Sequence, residues 1–484
     1  MSKFVGIDLG TTSISTVLID LNMVDLPNRS PVLRQLSIDN DSQIDISGQP
    51  NYSEWDLDRM ISLALNLLVN ITTGIPNREI KGIGATGQMH GMVLLDKNYQ
   101  PCSNFIGWQD KRGHEIHSGN LTYVQRMRSV ANSIQSSSLP SAGYMGTTLF
   151  WLSENGRLPA NTQACFAPDY LVSQLCQSTP TTDRTNAASS GCFNITNNSW
   201  NTDFLKSLNL PTTHFPFVSE NCSVAGMVKK LDSLGGIPVS VACGDNQASF
   251  AGSVDDPKNS ILVNVGTGGQ ISAFVPNLHQ NESLDIRPFL SGGYLLVGAG
   301  LCGGRSYRSL KHFVQQIGQS VFGIEPNQNA SDLYLILNQL ADCIPIKSEG
   351  LRCEPIFGGS RKQPDRRGIW SGISETNFTI GHFARSLLEG IANEFDVFHQ
   401  QMKRSGLSER TKLVGAGNGI RRNRVLQKSI ESKFSTSMSI PIHTEEAAVG
   451  AALSASVATG YFETIVDAGK HFIRYHPKQY KDEY

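Results

Sequence analysis

The feature of this sequence that most restricts its fold is a strand–turn–strand pattern that occurs once in each half. Near the start, the apolar runs Phe4–Ile7 and Ile14–Ile19 flank the turn DLGTTS. In the second half, 256 residues further on, Ile261–Val265 and Ile271–Val275 flank the turn GTGG. Both copies contain D/N-x-G-T, which is typical of a β-hairpin with glycine at its bend. The recurrence predicts an internally duplicated chain.

The segments between the two hairpins alternate between helical and strand patterns. Apolar residues recur at helical spacing over about 55–73, and a short strand, Ile80–Ala85, follows. Such alternation predicts an α/β protein. The polar connection Val254–Asn259 marks a boundary near residue 250. We therefore expect an N-terminal lobe over 1–250 and a C-terminal lobe over 251–484.

Two late segments have strong helical patterns. Phe378–Met402 carries apolar residues along one face and predicts a long helix. Glu445–Ala458 reads EEAAVGAALSASVA. Because Ala and Gly side chains are small, this second helix is expected to approach a neighbouring element closely.

Composition excludes several classes of protein. Lys and Arg total 41 against 42 Asp and Glu, and this balance gives no support for a nucleic-acid partner. The nine cysteines are scattered without a CxxC pair, so neither a zinc site nor a disulfide framework is indicated. The sequence contains neither a secretory signal pattern nor an apolar stretch long enough for a membrane span. We expect a cytoplasmic protein without membrane contact.

The two glycine turns are candidates for binding phosphate groups. Gly10 allows a tight bend, at which backbone N–H groups and the hydroxyls of Thr11 and Thr12 can meet phosphate oxygens. The carboxylate of Asp8 can hold Mg²⁺ through water, since that ion takes few protein ligands. The second turn, Gly266-Thr267-Gly268, supplies a matching set of donors. The alternative is a plain hairpin in which Asp8 satisfies turn amides.

Asp245 is the candidate general base. It lies in ACGDNQAS, just after the strand Val239–Val241. A carboxylate at a strand end can reach into a cleft and accept the proton of a hydroxyl that attacks a γ-phosphate. The alternative is a helix N-cap, a common role for Asp in this position.

Three further segments suit a sugar and a nucleotide. Met89 and His90 lie in a tight, glycine-flanked turn, where a neutral imidazole can bond to a sugar hydroxyl, although an isolated His is often structural. The sequence GWQDKRG places the apolar ring of Trp108 near the charged Asp110, as sugar sites do, but a surface turn with an ion pair has the same pattern. The turn Gly415–Gly419 has three glycines and could pack against adenine. No Walker P-loop accompanies it.

Together these segments resemble the FGGY family of carbohydrate kinases. The resemblance covers about residues 4–458 and rests on eight motifs in order: GIDLGTTS, GQMHG, WQDKR, PDYL, GDNQAS, NVGTGGQ, GAGNG and AAVGAAL. It implies an α/β protein with two lobes of the duplicated actin/Hsp70-like (ribonuclease H-like) ATPase fold and a deep cleft between them. It also implies ATP and Mg²⁺ as cofactors, a ketose as partner, and a monomer or homodimer.

The family's functional positions carry over residue by residue. Asp245 is then the catalytic base, and Asp8 holds Mg²⁺ through water. The nucleotide is held by Gly10, Thr11, Thr12, Gly266, Thr267, Gly268, Gly415, Ala416 and Asn418. The ketose meets Met89, His90, Trp108, Asp110 and Asp245.

Within the family, ATGQMHGMVLL, GTTLFWL and TDRTNAASSGCFN are most similar to members that act on sedoheptulose. The expected product is sedoheptulose 7-phosphate. Xylulose or ribulose is the alternative substrate, and a non-catalytic sugar sensor or an actin/Hsp70-like nucleotide-binding interaction protein is the alternative of another class. Two positions depart from the family: a Gly-Glu-Arg triplet is replaced by the stretch 357–361, without its glutamate, and Asn418 stands where many relatives have a small residue.

Overall fold

The computed structural model describes residues 2–23, 31–134, 140–278, 284–324, 331–359 and 366–477. The helices of these ranges are α1 (Leu57–Thr72), α2 (Tyr123–Ser133), α3 (Met145–Glu154), α4 (Ala167–Cys176), α5 (Arg184–Ala188), α6 (Thr202–Ser207), α7 (Asp245–Ala251), α8 (Gly304–Phe322), α9 (Ser331–Asp342), α10 (Ile380–Arg404), α11 (Asn418–Arg421), α12 (Arg424–Phe434), α13 (Glu446–Ala458) and α14 (Ile465–Phe472).

The strands are β1 (Lys3–Leu9), β2 (Ser13–Asp20), β3 (Val32–Asp39), β4 (Gln43–Ile44), β5 (Glu54–Trp55), β6 (Ile80–Gly87), β7 (Val93–Leu95), β8 (Phe105–Ile106), β9 (Ile116–Ser118), β10 (Leu121–Thr122), β11 (Gln163–Cys165), β12 (Thr181–Thr182), β13 (Phe193–Asn194), β14 (Ser199–Trp200), β15 (Phe217–Val218), β16 (Val224–Met227), β17 (Pro238–Ser240), β18 (Cys243–Gly244), β19 (Ser260–Val265), β20 (Gly268–Val275), β21 (Asp285–Pro288), β22 (Tyr294–Cys302), β23 (Arg352–Glu354), β24 (Ile369–Ser371), β25 (Lys412–Ala416) and β26 (Met438–Ser439).

The described residues form two compact units, neither of which is continuous in sequence. The first consists of Met1–Asp255, Arg287–Tyr294 and Glu445–Arg474, and the second holds the segments between them and the C-terminal residues. The single division expected between residues 250 and 251 therefore differs from the observed packing, because helix α13 belongs to the first unit. No helix in the described ranges is long and apolar enough to cross a membrane.

The first unit is built on a sheet with strand order β16-β17-β6-β1-β2-β3, to which β18 adds by pairing with β6. β1 and β2 form the predicted hairpin, and β1 runs parallel to β6. Val5 and Ile7 of β1 belong to the same buried cluster as Leu57 and Met60 of α1, so α1 covers that face. Residues between them point to the other face, because side chains alternate along a strand.

Helix α13 packs on that other face at unusually short range. A Cβ atom added to Gly6 would lie 1.8 Å from the carbonyl oxygen of Ala448, and one added to Gly84 would lie 1.8 Å from that of Ala451. These two glycines thus let the backbones of β1 and β6 meet the helix directly. The close approach expected from the small residues of α13 is confirmed.

The second unit repeats the central arrangement of the first. Its sheet has the order β21-β22-β20-β19-β25-β26. β19 pairs antiparallel with β20 and parallel with β25, as β1 does with β2 and β6. Asn264 lies opposite Gln270 and Ala416, and Asp8 lies opposite Ser15 and Thr86 in the equivalent positions. The α/β class and the duplication expected from the 256-residue offset are confirmed.

Candidate functional site

The two candidate carboxylates of the first unit lie at one edge of its sheet. β6 runs parallel to both β1 and β18, and Thr86 is the register partner of Asp8 on one side and Cys243 on the other. Asp245 begins helix α7 immediately after β18. The carboxyl ends of parallel strands meet at the same sheet edge, so Asp8 and Asp245 lie at one edge, where the charge of Asp245 acts on Asp8.

Asp8 is a carboxyl group whose burial is offset by few favourable interactions with the protein. Its Oδ1 atom is buried and makes no hydrogen bond within the described residues. Burial, followed by the charges of Asp245 and Glu445, raises the pKa of Asp8 to about 8. A bound cation would relieve both effects. The described residues hold no cluster of three or more His, Cys, Asp or Glu that could enclose a metal.

The first phosphate turn is held by a residue that sequence reasoning missed. The Asn40 side-chain amide donates to the Gly10 carbonyl at 2.9 Å, and the Asn40 backbone N–H donates to the Thr12 carbonyl at the same distance. Because both carbonyls accept these hydrogen bonds, the backbone of the turn is held in one conformation. Asn40 lies 30 residues after Gly10, at the end of β3, and nothing local in the sequence distinguishes it.

Asp245 occupies the first position of α7 and does not cap it. The N-cap is Gly244, which has no side chain, so the N-cap alternative does not describe this carboxylate. Burial raises the pKa of Asp245 to about 6, opposed by the charge of Arg287 and by a hydrogen bond from the backbone N–H of Asn246. Arg287 is itself buried. Sequence reasoning missed it, because the short strand β21 that carries it shows no recognisable pattern in the sequence.

Met89 and His90 lie beside the turn that presents Asp245. The Met89 sulfur is packed against Gly244, where an added Cβ would lie 2.8 Å from it. His90 has a positive φ of 78°. Its Nδ1 donates to the Ser189 carbonyl at 2.9 Å, and its ring stacks on Tyr144 with centroids 4.1 Å apart. The histidine is therefore held in one orientation.

Trp108 and Asp110, although only two residues apart, have different environments. Trp108 is 38% exposed, and its indole N–H donates to the Thr11 hydroxyl of the first phosphate turn at 2.9 Å. Asp110 is 1% exposed, and its oxygens accept hydrogen bonds from the backbone N–H of Ser53 and the side chain of Arg112. Asp110 thus fixes the loop that carries Trp108, and its direct contact with a sugar stays a prediction.

The second phosphate turn meets the start of a long helix. The Gly304 N–H donates to the Gly266 carbonyl, and the Arg305 N–H donates to the Thr267 carbonyl, at 3.0 and 2.9 Å. A Cβ on Gly303 would lie 2.6 Å from the Gly268 carbonyl, so glycine is required there. The N-terminus of α8 therefore adjoins this turn and adds the partial positive charge that suits phosphate. Sequence reasoning missed Gly303 and Gly304, although two glycines before a helical pattern were a usable signal.

The glycine-rich segment 415–419 divides into a strand end and a turn. Gly415 and Ala416 are buried in β25, and a Cβ on Gly415 would lie 2.2 Å from the Met438 sulfur. Gly417 has a positive φ of 80°, and Asn418 is exposed at the start of α11. Asn418 is thus the most exposed of the three positions expected at the adenine. Of the stretch that replaces the Gly-Glu-Arg triplet, Ser360 and Arg361 lie outside the described residues.

Sequence comparison identifies the relatives of this chain. It is 29% identical to the sedoheptulokinase of Mus musculus over 463 residues, which cover 89% of this chain and 92% of that protein. It is also 29% identical to the sedoheptulokinase of Homo sapiens over 485 residues, covering 93% and 96%.

The fold has close counterparts among solved structures. The ligand-bound xylulose kinase of Lactobacillus acidophilus matches with a TM-score of 0.82 at 19% identity, covering 99% of this chain and 93% of that one. At this identity the match shows the fold alone, and it confirms the expected fold class. Residues 3–252 match the model of the N-terminal domain of the FGGY family of carbohydrate kinases, and residues 310–459 match that of its C-terminal domain. With both family domains matched over most of its length, the chain belongs to the FGGY family of carbohydrate kinases.

Proposed function

We propose that this kinase transfers the γ-phosphoryl group of ATP to the terminal hydroxyl of sedoheptulose, giving sedoheptulose 7-phosphate and ADP. The observation that carries the proposal is the position of Asp245, a partly buried carboxylate at the sheet edge that also bears Asp8. Burial raises the pKa of Asp245 to about 6. A base with that pKa is ionised at neutral pH and still basic enough to accept a proton in the transition state.

In the proposed reaction, the residues around Asp245 orient the ketose. Asp245 accepts the proton of the attacking hydroxyl, and the oxygen forms a bond to the γ-phosphorus as the bond to the β-phosphate oxygen breaks. His90 is fixed by Ser189 and Tyr144, so its ring can hold a sugar hydroxyl without reorganising. Trp108 contributes an apolar surface and, through Thr11, joins the sugar side of the site to the first phosphate turn.

The nucleotide is assigned to the two glycine turns and the segment after β25. Gly10, Thr11 and Thr12 form the first phosphate turn, and Gly266, Thr267 and Gly268, beside the N-terminus of α8, form the second. Gly415, Ala416 and Asn418 are assigned to adenine, with Asn418 the exposed member. Asp8 would hold Mg²⁺ through water, consistent with its unpaired Oδ1 atom. Bound Mg²⁺ would supply positive charge against the phosphate oxygens.

Sedoheptulose is favoured by the two sedoheptulokinases, which are similar to this chain over nearly all of its length. A pentulose, xylulose or ribulose, is the alternative, because xylulose kinases share the fold. A non-catalytic sugar sensor is a further alternative of another class. It would need neither a base at 245 nor a carboxylate at 8.

The test measures ADP release from ATP and Mg²⁺ with sedoheptulose, xylulose, ribulose, fructose and glycerol. We expect turnover with sedoheptulose and a heptulose phosphate by mass spectrometry. Asp245→Asn should lower kcat by about 10²–10⁴, whereas Asp232→Asn, which changes an exposed carboxylate of the same unit, should not. Turnover with a pentulose alone would show that the substrate is a pentulose, and it would leave the proposed mechanism unchanged. ATP binding without turnover on any sugar favours the sensor.

A further inference from the structure

The motif TDRTNAASS at 182–190 has no role in the proposed reaction, yet both of its ends contact the site. Its central part forms the short helix α5, and Asp183 caps that helix by accepting the Asn186 N–H at 2.9 Å. Thr185 lies in its first turn, and Ser189 follows its last residue. All four of these side chains are buried.

The N-terminal end of the motif holds the turn before Asp245. The Thr185 hydroxyl accepts the backbone N–H of Gly244 at 2.8 Å and donates to the Asp183 carboxylate, whose oxygens lie 2.7 and 2.8 Å away. Gly244 is the residue from which α7 begins, so this bond fixes the point where the backbone turns and Asp245 leaves the strand.

The C-terminal end of the motif holds His90. The Ser189 hydroxyl accepts the His90 backbone N–H at 3.1 Å, and the Ser189 carbonyl accepts the ring Nδ1–H at 2.9 Å. One rigid element of seven residues, Asp183–Ser189, is thus bonded to the turn of the general base at one end and to the sugar-binding turn at the other.

We propose that Asp183–Ser189 is a brace that sets the distance between Asp245 and the ketose, with Thr185 and Ser189 as positioning residues. The proposal rests on the function proposed above. Without the Thr185 hydroxyl, the buried N–H of Gly244 loses this acceptor, and the turn must move for that N–H to find another. A movement near 1 Å is enough to cost about 10²-fold in rate.

Substitutions at the two ends of the brace should change different kinetic parameters. Thr185→Val keeps the shape of the side chain and removes its hydroxyl, so kcat should fall by up to about 10²-fold while the KM for the ketose changes little. Thr185→Ser restores the hydroxyl and should recover most of kcat. Ser189→Ala loosens His90 and should chiefly raise the KM for the ketose. Thr147→Val is the matched control, because it removes a buried hydroxyl that has no hydrogen-bond partner in the described residues.

Hydrogen exchange measured by mass spectrometry provides a readout that does not depend on activity. In Thr185→Val the peptide that contains Gly244 should exchange faster, whereas Thr147→Val should leave it unchanged. Wild-type kcat in Thr185→Val, or unchanged exchange at Gly244, would overturn the brace. If no ketose is phosphorylated, the proposed function fails, and exchange at Gly244 still decides whether the brace exists. If Thr185→Val does not fold, Thr185→Ser and Ser189→Ala still test the brace. An unchanged ketose KM in Ser189→Ala would also refute it.

Discussion

The acid limb of the pH–rate profile should follow the ionisation of Asp245. The charge of Arg287 should determine the pH at which this limb lies. With the pKa of Asp245 at about 6, the ionised fraction falls from about 0.9 at pH 7 to about 0.1 at pH 5, so kcat/KM should fall about tenfold over that interval. The Arg287 charge opposes the effect of burial. Replacing Arg287 by Gln should therefore raise the pKa of Asp245 and move the limb to higher pH.

The assay is coupled ADP release at saturating Mg²⁺, because the Mg²⁺ proposed to bind at Asp8 would keep that carboxyl group ionised. Because a phosphate group itself titrates near pH 6, the diagnostic quantity is the displacement of the limb between wild type and Arg287→Gln. Arg126→Gln changes an exposed arginine and serves as the control. A limb at the same pH in all three proteins, or one that moves to lower pH in Arg287→Gln, would refute the reasoning.

Two further predictions concern stability. Asp8→Asn should raise Tm while lowering activity: the folded pKa of about 8 lies above the unfolded value of 3.8, so the ionised carboxyl destabilises the fold. That difference in Tm should be largest above pH 8 and disappear toward pH 4, and a pH-independent difference would contradict it. Gly84→Ala should cost at least about 1–3 kcal/mol by forcing β6 away from α13. Gly318→Ala in α8, where an added Cβ has open space, should stabilise instead, and thermal unfolding of both variants tests the packing.

Much of the fold could be predicted because its signals are local. The two hairpins follow from apolar runs around a glycine turn, and the long helix predicted at Phe378–Met402 is observed as Ile380–Arg404. The close packing of α13 was also predictable, since few sequences other than Ala- and Gly-rich ones permit it. In each case neighbouring residues carry the whole pattern.

The parts of the site that could not be predicted depend on contacts between distant segments. Arg287 acts on Asp245 from a position 42 residues later in the chain, within no recognisable pattern. Thr185 meets Gly244 across 59 residues, and Asn40 meets Gly10 across 30. The oxygens of Asp110, which was predicted to contact a sugar, accept hydrogen bonds from Ser53 and Arg112. A single sequence shows residue types, and only the fold shows which of them face each other.

The packing of α13 on β1 has a consequence for how the chain folds as it is made. β1 leaves the ribosome long before the helix that covers its glycine face, because that helix begins only at Glu446. After Asp255, where the first long segment of that unit ends, about 190 residues remain to be translated before α13 is made. At 5–20 residues per second this interval lasts about 10–40 s. During it, the face around Gly6 and Gly84 is uncovered, so the nascent chain should depend on chaperones for that time.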